Sequence, residues 1–192
     1  INPDNQDIVV DYGKTLAKYE KNQEAVDVFN KALSIDSTNA DAHCALADTY
    51  MKDKEYDKAI LEYQKASQLV PDNESVLIKL GNAYKAKSET KNALDMYQKV
   101  IFKNLKNTDA MFNAGLCYAE LNDNNNAIKS FKNVIAIDPN YAYAYYALGM
   151  AYENEKNYPE SIANYEKFMT LTDDNETKAQ VKNQIEYLKN KK

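Results

Sequence analysis

The sequence predicts an all-α chain of paired helices that recur with one fixed period. Three observations predict it. Gly13, Gly81, Gly115 and Gly149 are the only glycines, and with Ala47 filling the gap they form one evenly spaced series. Sixteen residues after each small residue stands an aromatic: Phe29, Tyr63, Tyr97, Phe131 and Tyr165. Three of the four prolines, Pro3, Pro71 and Pro139, keep the same phase, each two periods from the next. A fixed period of this size marks a repeat architecture.

Each further column justifies one helical face. On the first helix of a pair, Leu16, Tyr50, Tyr84, Tyr118 and Tyr152 lie three residues after the small residue and share its face. On the second helix, Ala25, Ala59, Ala93, Ala127 and Ser161 precede the aromatic column by four residues. Ala32, Ala66, Val100, Val134 and Phe168 follow it by three, which completes one apolar stripe. Small side chains let two helix axes approach, and the rings fill the space beside them. Turn-forming clusters at Asp36 to Asn39, Pro71-Asp72-Asn73 and Asp138-Pro139-Asn140 supply stop signals and N-cap candidates.

Leu80-Gly81-Asn82-Ala83-Tyr84 and Leu148-Gly149-Met150-Ala151-Tyr152 carry the pattern most fully. It resembles the tetratricopeptide repeat, whose 34-residue signature runs Leu-Gly-x-x-Tyr, Ala, aromatic, Ala, Pro. The resemblance recurs five times in phase over nearly the whole chain. The signature Trp is replaced by Val9, His43, Leu77, Met111 and Tyr145, and Pro gives way to Ser37, Leu105 and Asp173. The resemblance implies a right-handed α-α superhelix, a solenoid of helix-turn-helix repeats with a C-terminal capping helix. The repeats are expected at 6–39, 40–73, 74–107, 108–141 and 142–175. Residues 1–5 are in phase with the tail of a preceding repeat, which points to an array cut from a longer one. Residues 176–192 are expected to cap it. Val181, Ile185 and Leu188 form a single stripe, Asp173 and Glu176 read as the helix start, and Lys189, Lys191 and Lys192 suit its end.

Composition narrows the function. The net charge of -5 argues against a nucleic-acid partner, which needs a basic surface. No apolar run approaches the roughly 20 residues of a membrane helix, so no membrane insertion is expected. Cys44 and Cys117 occupy different repeat positions, and a disulfide is not expected. Compartment is hardly readable, with the cytoplasm slightly favoured over the periplasm or the exterior. There is no Gly-rich phosphate loop, no Gly-x-Ser-x-Gly and no His-Glu-x-x-His, so no enzyme, no cofactor and no metal site are expected. The lone histidine, His43, falls at a packing position. The Asp/Asn run 122–126 lacks the spacing of a calcium loop and sits where the turn between paired helices belongs.

The resemblance also implies a binding surface. In the family, positions 2, 5, 6, 9, 12 and 13 of each first helix line a concave groove for a protein or an extended peptide. Carried onto this chain, the groove is charged in the first two repeats. The candidate binding residues are Ile78, Lys79 and Asn82 in the third repeat, Phe112, Asn113 and Leu116 in the fourth, and Tyr143, Tyr146 and Met150 in the fifth. Other aromatics already fill the core columns, and exposed aromatic and Met clusters mark interaction sites. The competing reading is that these rings pack against neighbouring helices. Some family members grip a C-terminal carboxylate. Asn82 and Asn113 match two members of that clamp, but Ile78, Tyr143 and Ala147 replace its cations, so no clamp is expected. The expected function is a scaffold for protein or peptide binding. The alternatives are a regulatory or substrate-docking module of a larger enzyme and a homo-oligomer that assembles through repeat edges.

Overall fold

The computed structural model describes residues 6–191, and every regular element among them is an α-helix. The first helices of the pairs are α1 (Gln6–Lys18), α3 (Ala40–Lys52), α5 (Glu74–Ala86), α7 (Thr108–Glu120) and α9 (Ala142–Asn154). The second helices are α2 (Asn22–Ile35), α4 (Tyr56–Leu69), α6 (Thr90–Lys103), α8 (Asn124–Ile137) and α10 (Tyr158–Leu171). The starts of both series keep the period read in the sequence, and α11 (Asn175–Lys189) closes the chain. The expected tail at 1–5 lies outside the described residues. The chain divides into two compact units between Met96 and Tyr97, inside α6.

Local chemistry sets the helix ends. Asn39, Asn73 and Asn107 occupy one repeat position, and each side-chain oxygen accepts from the backbone N–H three residues on, at 2.9, 3.2 and 2.9 Å. The fifth pair has Tyr141 there, with no side-chain cap. In the expected cap cluster before it, Asp138 instead accepts from the Asn140 N–H at 2.9 Å, which turns the chain at the end of α8. Within each pair the first helix ends on a left-handed residue: Glu20, Lys54, Ser88, Asn122 and Lys156 have φ between 58 and 65°. The next N–H then reaches back to the carbonyl of Leu16, Tyr50, Tyr84, Tyr118 or Tyr152, at 2.8–3.0 Å. The Asp/Asn run belongs to this turn. Asn122 takes the left-handed conformation, and Asp123 caps α8 by accepting from the Asn126 N–H at 3.2 Å.

The closing helix differs from expectation by one residue. Asp174, not Asp173, is its cap, and accepts from the N–H groups of Glu176 and Thr177 at 3.1 and 3.0 Å. The hydrogen bond from the Thr177 hydroxyl, followed by that from the Thr177 N–H and smaller ones from Tyr143 and the Glu176 N–H, holds the Asp174 carboxyl below the usual carboxylate range. The stripe Val181, Ile185 and Leu188 is buried against Tyr165 and Phe168, which covers the last pair.

In the first unit α1 pairs with α2 and α3 with α4, and α5 packs on α4. In the second unit α7 pairs with α8 and α9 with α10, and α11 packs on α10. The aromatic column forms the centre of the pairs: Phe29, Tyr63, Tyr97, Phe131 and Tyr165 are all at most 2 % exposed. A Cβ built on Gly115 would stand 2.5 Å from Cε1 of Phe131 and 2.9 and 3.0 Å from the flanking ring carbons. Flanking carbons this little farther away than the nearest one place that point over the ring face and not beyond the ring edge. Gly13 meets Phe29 in the same way, and Gly149 meets Tyr165 at 2.6 Å. Glycine here is a matter of close approach, since the helical backbone itself would accept alanine.

This geometry decides the sign of a substitution. Gly115→Ala gains about 1 kcal/mol of helix propensity. Forcing a methyl against a buried ring costs about 1–3 kcal/mol. The crowding wins, so Gly115→Ala is expected to lower the urea midpoint with an unchanged slope. A raised midpoint would mean that the ring yields freely.

Candidate functional site

The first helices expose a polar face in the first unit. Lys14, Asp41, Cys44, Asp48, Lys52 and Lys79 border a cleft of about 650 Å³. Part of its charge is paired within the chain, while Lys18 adds a further cation to its lining. Lys14 pairs with Asp41 at 2.5 Å and Lys79 with Asp48 at 2.6 Å. Tyr63 donates its hydroxyl to Asp48, and Lys52 donates to the Ala17 carbonyl at 2.8 Å. Burial, followed by the bond to Asp48, holds the Tyr63 hydroxyl well above the ordinary tyrosine range. Of the three candidates in this unit, Lys79 lies in this cleft, Ile78 is half-buried and Asn82 is exposed. The cleft of the early repeats is charged, and two of its cations are held in ion pairs with its own carboxylates, a detail that residue type alone does not reveal.

The face of the second unit is more apolar. Phe112 is half-buried, with its ring centroid 5.7 Å from Phe131 and 5.2 Å from Tyr141. Tyr146 is likewise half-buried, 5.9 Å from Tyr165 and 5.2 Å from Phe168. Each of these two rings leans on a core aromatic, as the competing reading expects, and is only half-buried. Tyr143 and Met150 are 46 and 47 % exposed. Tyr143 sits 5.7 Å from Phe168 and donates its hydroxyl to Asp174 at 3.3 Å. Leu116 is half-buried in the cluster that contains Phe131. Asn113 donates to the Asp109 carbonyl of its own helix at 2.9 Å, which leaves its side-chain carbonyl oriented away from that bond.

A cleft of about 310 Å³ brings Tyr146 and Met150 together with Glu153, Asn154, Gln180 and Gln184. Glu153 is fixed from two sides. Tyr165 donates to one oxygen at 3.1 Å and Gln184 to the other at 2.6 Å. Gln180 and Gln184 were not among the candidates. They stand at positions 5 and 9 once the repeat register is carried into α11, so the signal was the register itself. The closing helix thus serves both as a cap and as a wall of the cleft.

The groups with catalytic character are built into the packing. His43 is buried; its Nδ1 lies 2.6 Å from Glu62 Oε2 and its Nε2 3.1 Å from the Ser37 carbonyl. With an acceptor at each ring nitrogen, the imidazole ties together α3, α4 and the turn that leads into α3. Among the described residues no group of three His, Cys, Asp or Glu side chains is placed to hold a metal. No helix of the described residues is long and apolar enough to cross a membrane. Cys117 is buried and packs as a small apolar residue.

Burial pushes the Cys44 thiol up from 9.0 to about 11, with Asp48 and Asp41 acting in the same direction and Lys79 and Lys14 against it. A raised thiol pKa keeps the protonated, unreactive form through neutral pH. At pH 8 the thiolate fraction falls about a hundredfold below that of an ordinary thiol. In a Cys117→Ala background, Cys44 is therefore expected to alkylate at pH 8 about ten times more slowly than a free cysteine, because the more basic thiolate is also the better nucleophile, and to keep speeding up as pH rises towards 11. A rate equal to that of free cysteine would contradict this reading of the cleft.

Comparison with known proteins agrees with the geometry. A family model described as TPR repeat matches residues 13–54, 47–88 and 115–156, and one described as Tetratricopeptide repeat matches 142–175. No curated protein sequence matches the chain. Among solved structures, YrrB, described as a TPR protein with an unusual peptide-binding site, aligns with a TM-score of 0.80 at 24% identity, over 95% of this chain and 94% of that one. A structure of MamA aligns with a TM-score of 0.79 at 26% identity, over 88% of this chain and 96% of that one. Pseudomonas aeruginosa PilF aligns with a TM-score of 0.76 at 20% identity, over 97% and 93% of the two chains, and shares the fold. With its family models spanning most of the sequence in phase with the glycine–ring pairs, the chain belongs to the tetratricopeptide repeat family.

Proposed function

We propose that this chain is a non-enzymatic scaffold that binds an extended peptide or protein segment on the first-helix face of its second unit. The observation that carries the reading is the cleft around Tyr146 and Met150. It offers open apolar surface next to amide side chains that both donate and accept. An extended peptide needs both, since its backbone must be hydrogen-bonded while its larger side chains leave water. Phe112, Leu116 and Tyr143 continue the apolar face, and Asn113 adds a further amide. Glu153, with both oxygens held, supplies a fixed negative charge that favours a basic or N–H-rich portion of the guest. YrrB, which shares the fold, is described as having a peptide-binding site. The expectation that nucleic acid is not a partner rests on the net charge of -5.

The informative substitution is one that spares the core. Tyr146 leans on Tyr165 and Phe168, so its truncation would mix binding with stability. Met150 is 47 % exposed, and Met150→Glu adds a charge beside Glu153 without opening a cavity. Peptides selected from a random phage-displayed library on the wild-type protein are expected to bind Met150→Glu about tenfold or more weakly, at an unchanged melting temperature. Selected peptides that bind both proteins equally would place the guest elsewhere.

A further inference from the structure

A groove carboxylate in each unit is held by a tyrosine of the core column, and the two are completed differently. In the first unit Asp48 accepts the Tyr63 hydroxyl on Oδ1 and the Lys79 ammonium on Oδ2, the latter at 2.6 Å. In the second unit Glu153 accepts the Tyr165 hydroxyl on Oε2 at 3.1 Å and the Gln184 amide on Oε1 at 2.6 Å. Lys79 follows Asp48 by 31 residues, and Gln184 follows Glu153 by 31. The second arrangement is thus the first moved about one helical turn along the repeat, with a neutral amide in place of the lysine. The other repeats carry Ala17, Met51, Lys85 and Ala119 at the position of Glu153, so the packing of a repeat does not require a carboxylate there.

Glu153 is therefore oriented without a counter-ion. Both of its donors are neutral, and their bonds aim the carboxylate without cancelling its charge. Among the described residues that line the cleft, Glu153 carries the only charge. Lys191 feels Glu153 only as the smallest of several influences, and its ammonium stands over the rings of Tyr187 and Tyr158, at 4.5 and 5.7 Å from their centroids. A half-buried anion without a cation has given up hydration that an incoming cation can repay.

The geometry also selects the kind of cation. Each carboxylate oxygen has room for two donors, and each oxygen of Glu153 has taken one. Two open oxygens on one carboxylate match the paired N–H groups of a guanidinium, whereas an ammonium is a point charge. Tyr146 and Met150 line the same cleft. A guanidinium stacks on an aromatic face, and its aliphatic stem covers apolar surface. The exposed amides of Asn154 and Gln180 offer acceptors for the remaining N–H groups. Met150 covers the stem, so its replacement by a hydrated glutamate is expected to cost affinity even for a basic guest.

Given the second-unit face as the binding face for an extended peptide, on which this inference rests, we propose that the cleft seats an arginine side chain of that peptide, with its guanidinium paired to Glu153. The 24 Lys and Arg positions of the sequence are all lysine, so a second copy of these residues cannot supply the group. The guest is a segment of another protein.

The probes are peptides selected on the wild-type protein from the phage-displayed library that also shift the Met150 methyl signal in NMR spectra. These peptides are expected to share an arginine. Exchanging it for citrulline, which keeps the shape and removes the charge, is expected to weaken binding about tenfold or more, and exchange for lysine is expected to weaken it by less. The citrulline effect is expected to vanish on Glu153→Gln, and on Gln184→Lys, which gives Glu153 an internal cation as Lys79 gives one to Asp48. The citrulline exchange is made in the peptide, so it reads the contact whatever a variant does to folding. Peptides that shift Met150 but lack arginine, or tolerate citrulline, overturn the proposal and leave the binding face standing. So does a citrulline loss as large on Glu153→Gln as on wild type, or a lysine peptide that binds as tightly as the arginine one. If no selected peptide shifts Met150, the binding face itself is wrong, and the arginine seat falls with it.

Discussion

The packing of the first, fourth and fifth pairs depends on the approach of an aromatic ring to helix backbone at a residue with no side chain, while in the second pair the small Ala47 holds that position and Tyr63 is still buried. Where Phe131 lies against Gly115, a single methyl would stand 2.5 Å from a ring carbon. The ring can occupy that space only because the glycine leaves it empty. Once the ring is seated, the second helix is fixed in distance and rotation relative to the first. The same contact recurs at Gly13 with Phe29 and at Gly149 with Tyr165. Hydrophobic burial supplies the stabilisation, but the steric rule supplies the geometry.

Function follows from what that packing leaves over. Each first helix turns one stripe towards its partner and another towards its neighbours, and the remainder faces solvent. On that remainder the two units differ in kind. The first pairs part of its charge internally, through Lys14 with Asp41 and Lys79 with Asp48. The second leaves Tyr143 and Met150 about half exposed, with Met150 in a cleft beside amides. Matched ion pairs must be broken before a guest can use them, whereas open apolar surface gains by being covered. That contrast favours the second unit as the binding face.

The fold was legible in the sequence because its determinants are local and periodic. A small residue once per repeat, with a ring sixteen positions later, can be read without coordinates. Asn39 and Asn73 stand in clusters that announce their caps, whereas Asn107 caps α7 outside any such cluster and the cluster at Asp138 to Asn140 leaves α9 without a side-chain cap. Less was legible at the site. The ion pairs of the first unit connect residues 27 and 31 positions apart, whose orientation depends on side-chain rotamers. Phe112 and Tyr146 fall at groove positions of the repeat, but their half-burial depends on rings elsewhere, among them Phe131, Tyr165 and Phe168. Gln180 and Gln184 were missed because α11 was read only as a cap.

The glycine–ring contact can be observed directly by NMR. A proton held over the face of an aromatic ring resonates far upfield, and the Hα of each of these glycines that points where a Cβ would stand lies over Phe29, Phe131 or Tyr165. The account predicts that one Hα each of Gly13, Gly115 and Gly149 is strongly upfield-shifted, with cross-peaks to the ring protons of the residue sixteen positions later. Ordinary helical Hα shifts at these glycines, without ring cross-peaks, would contradict it.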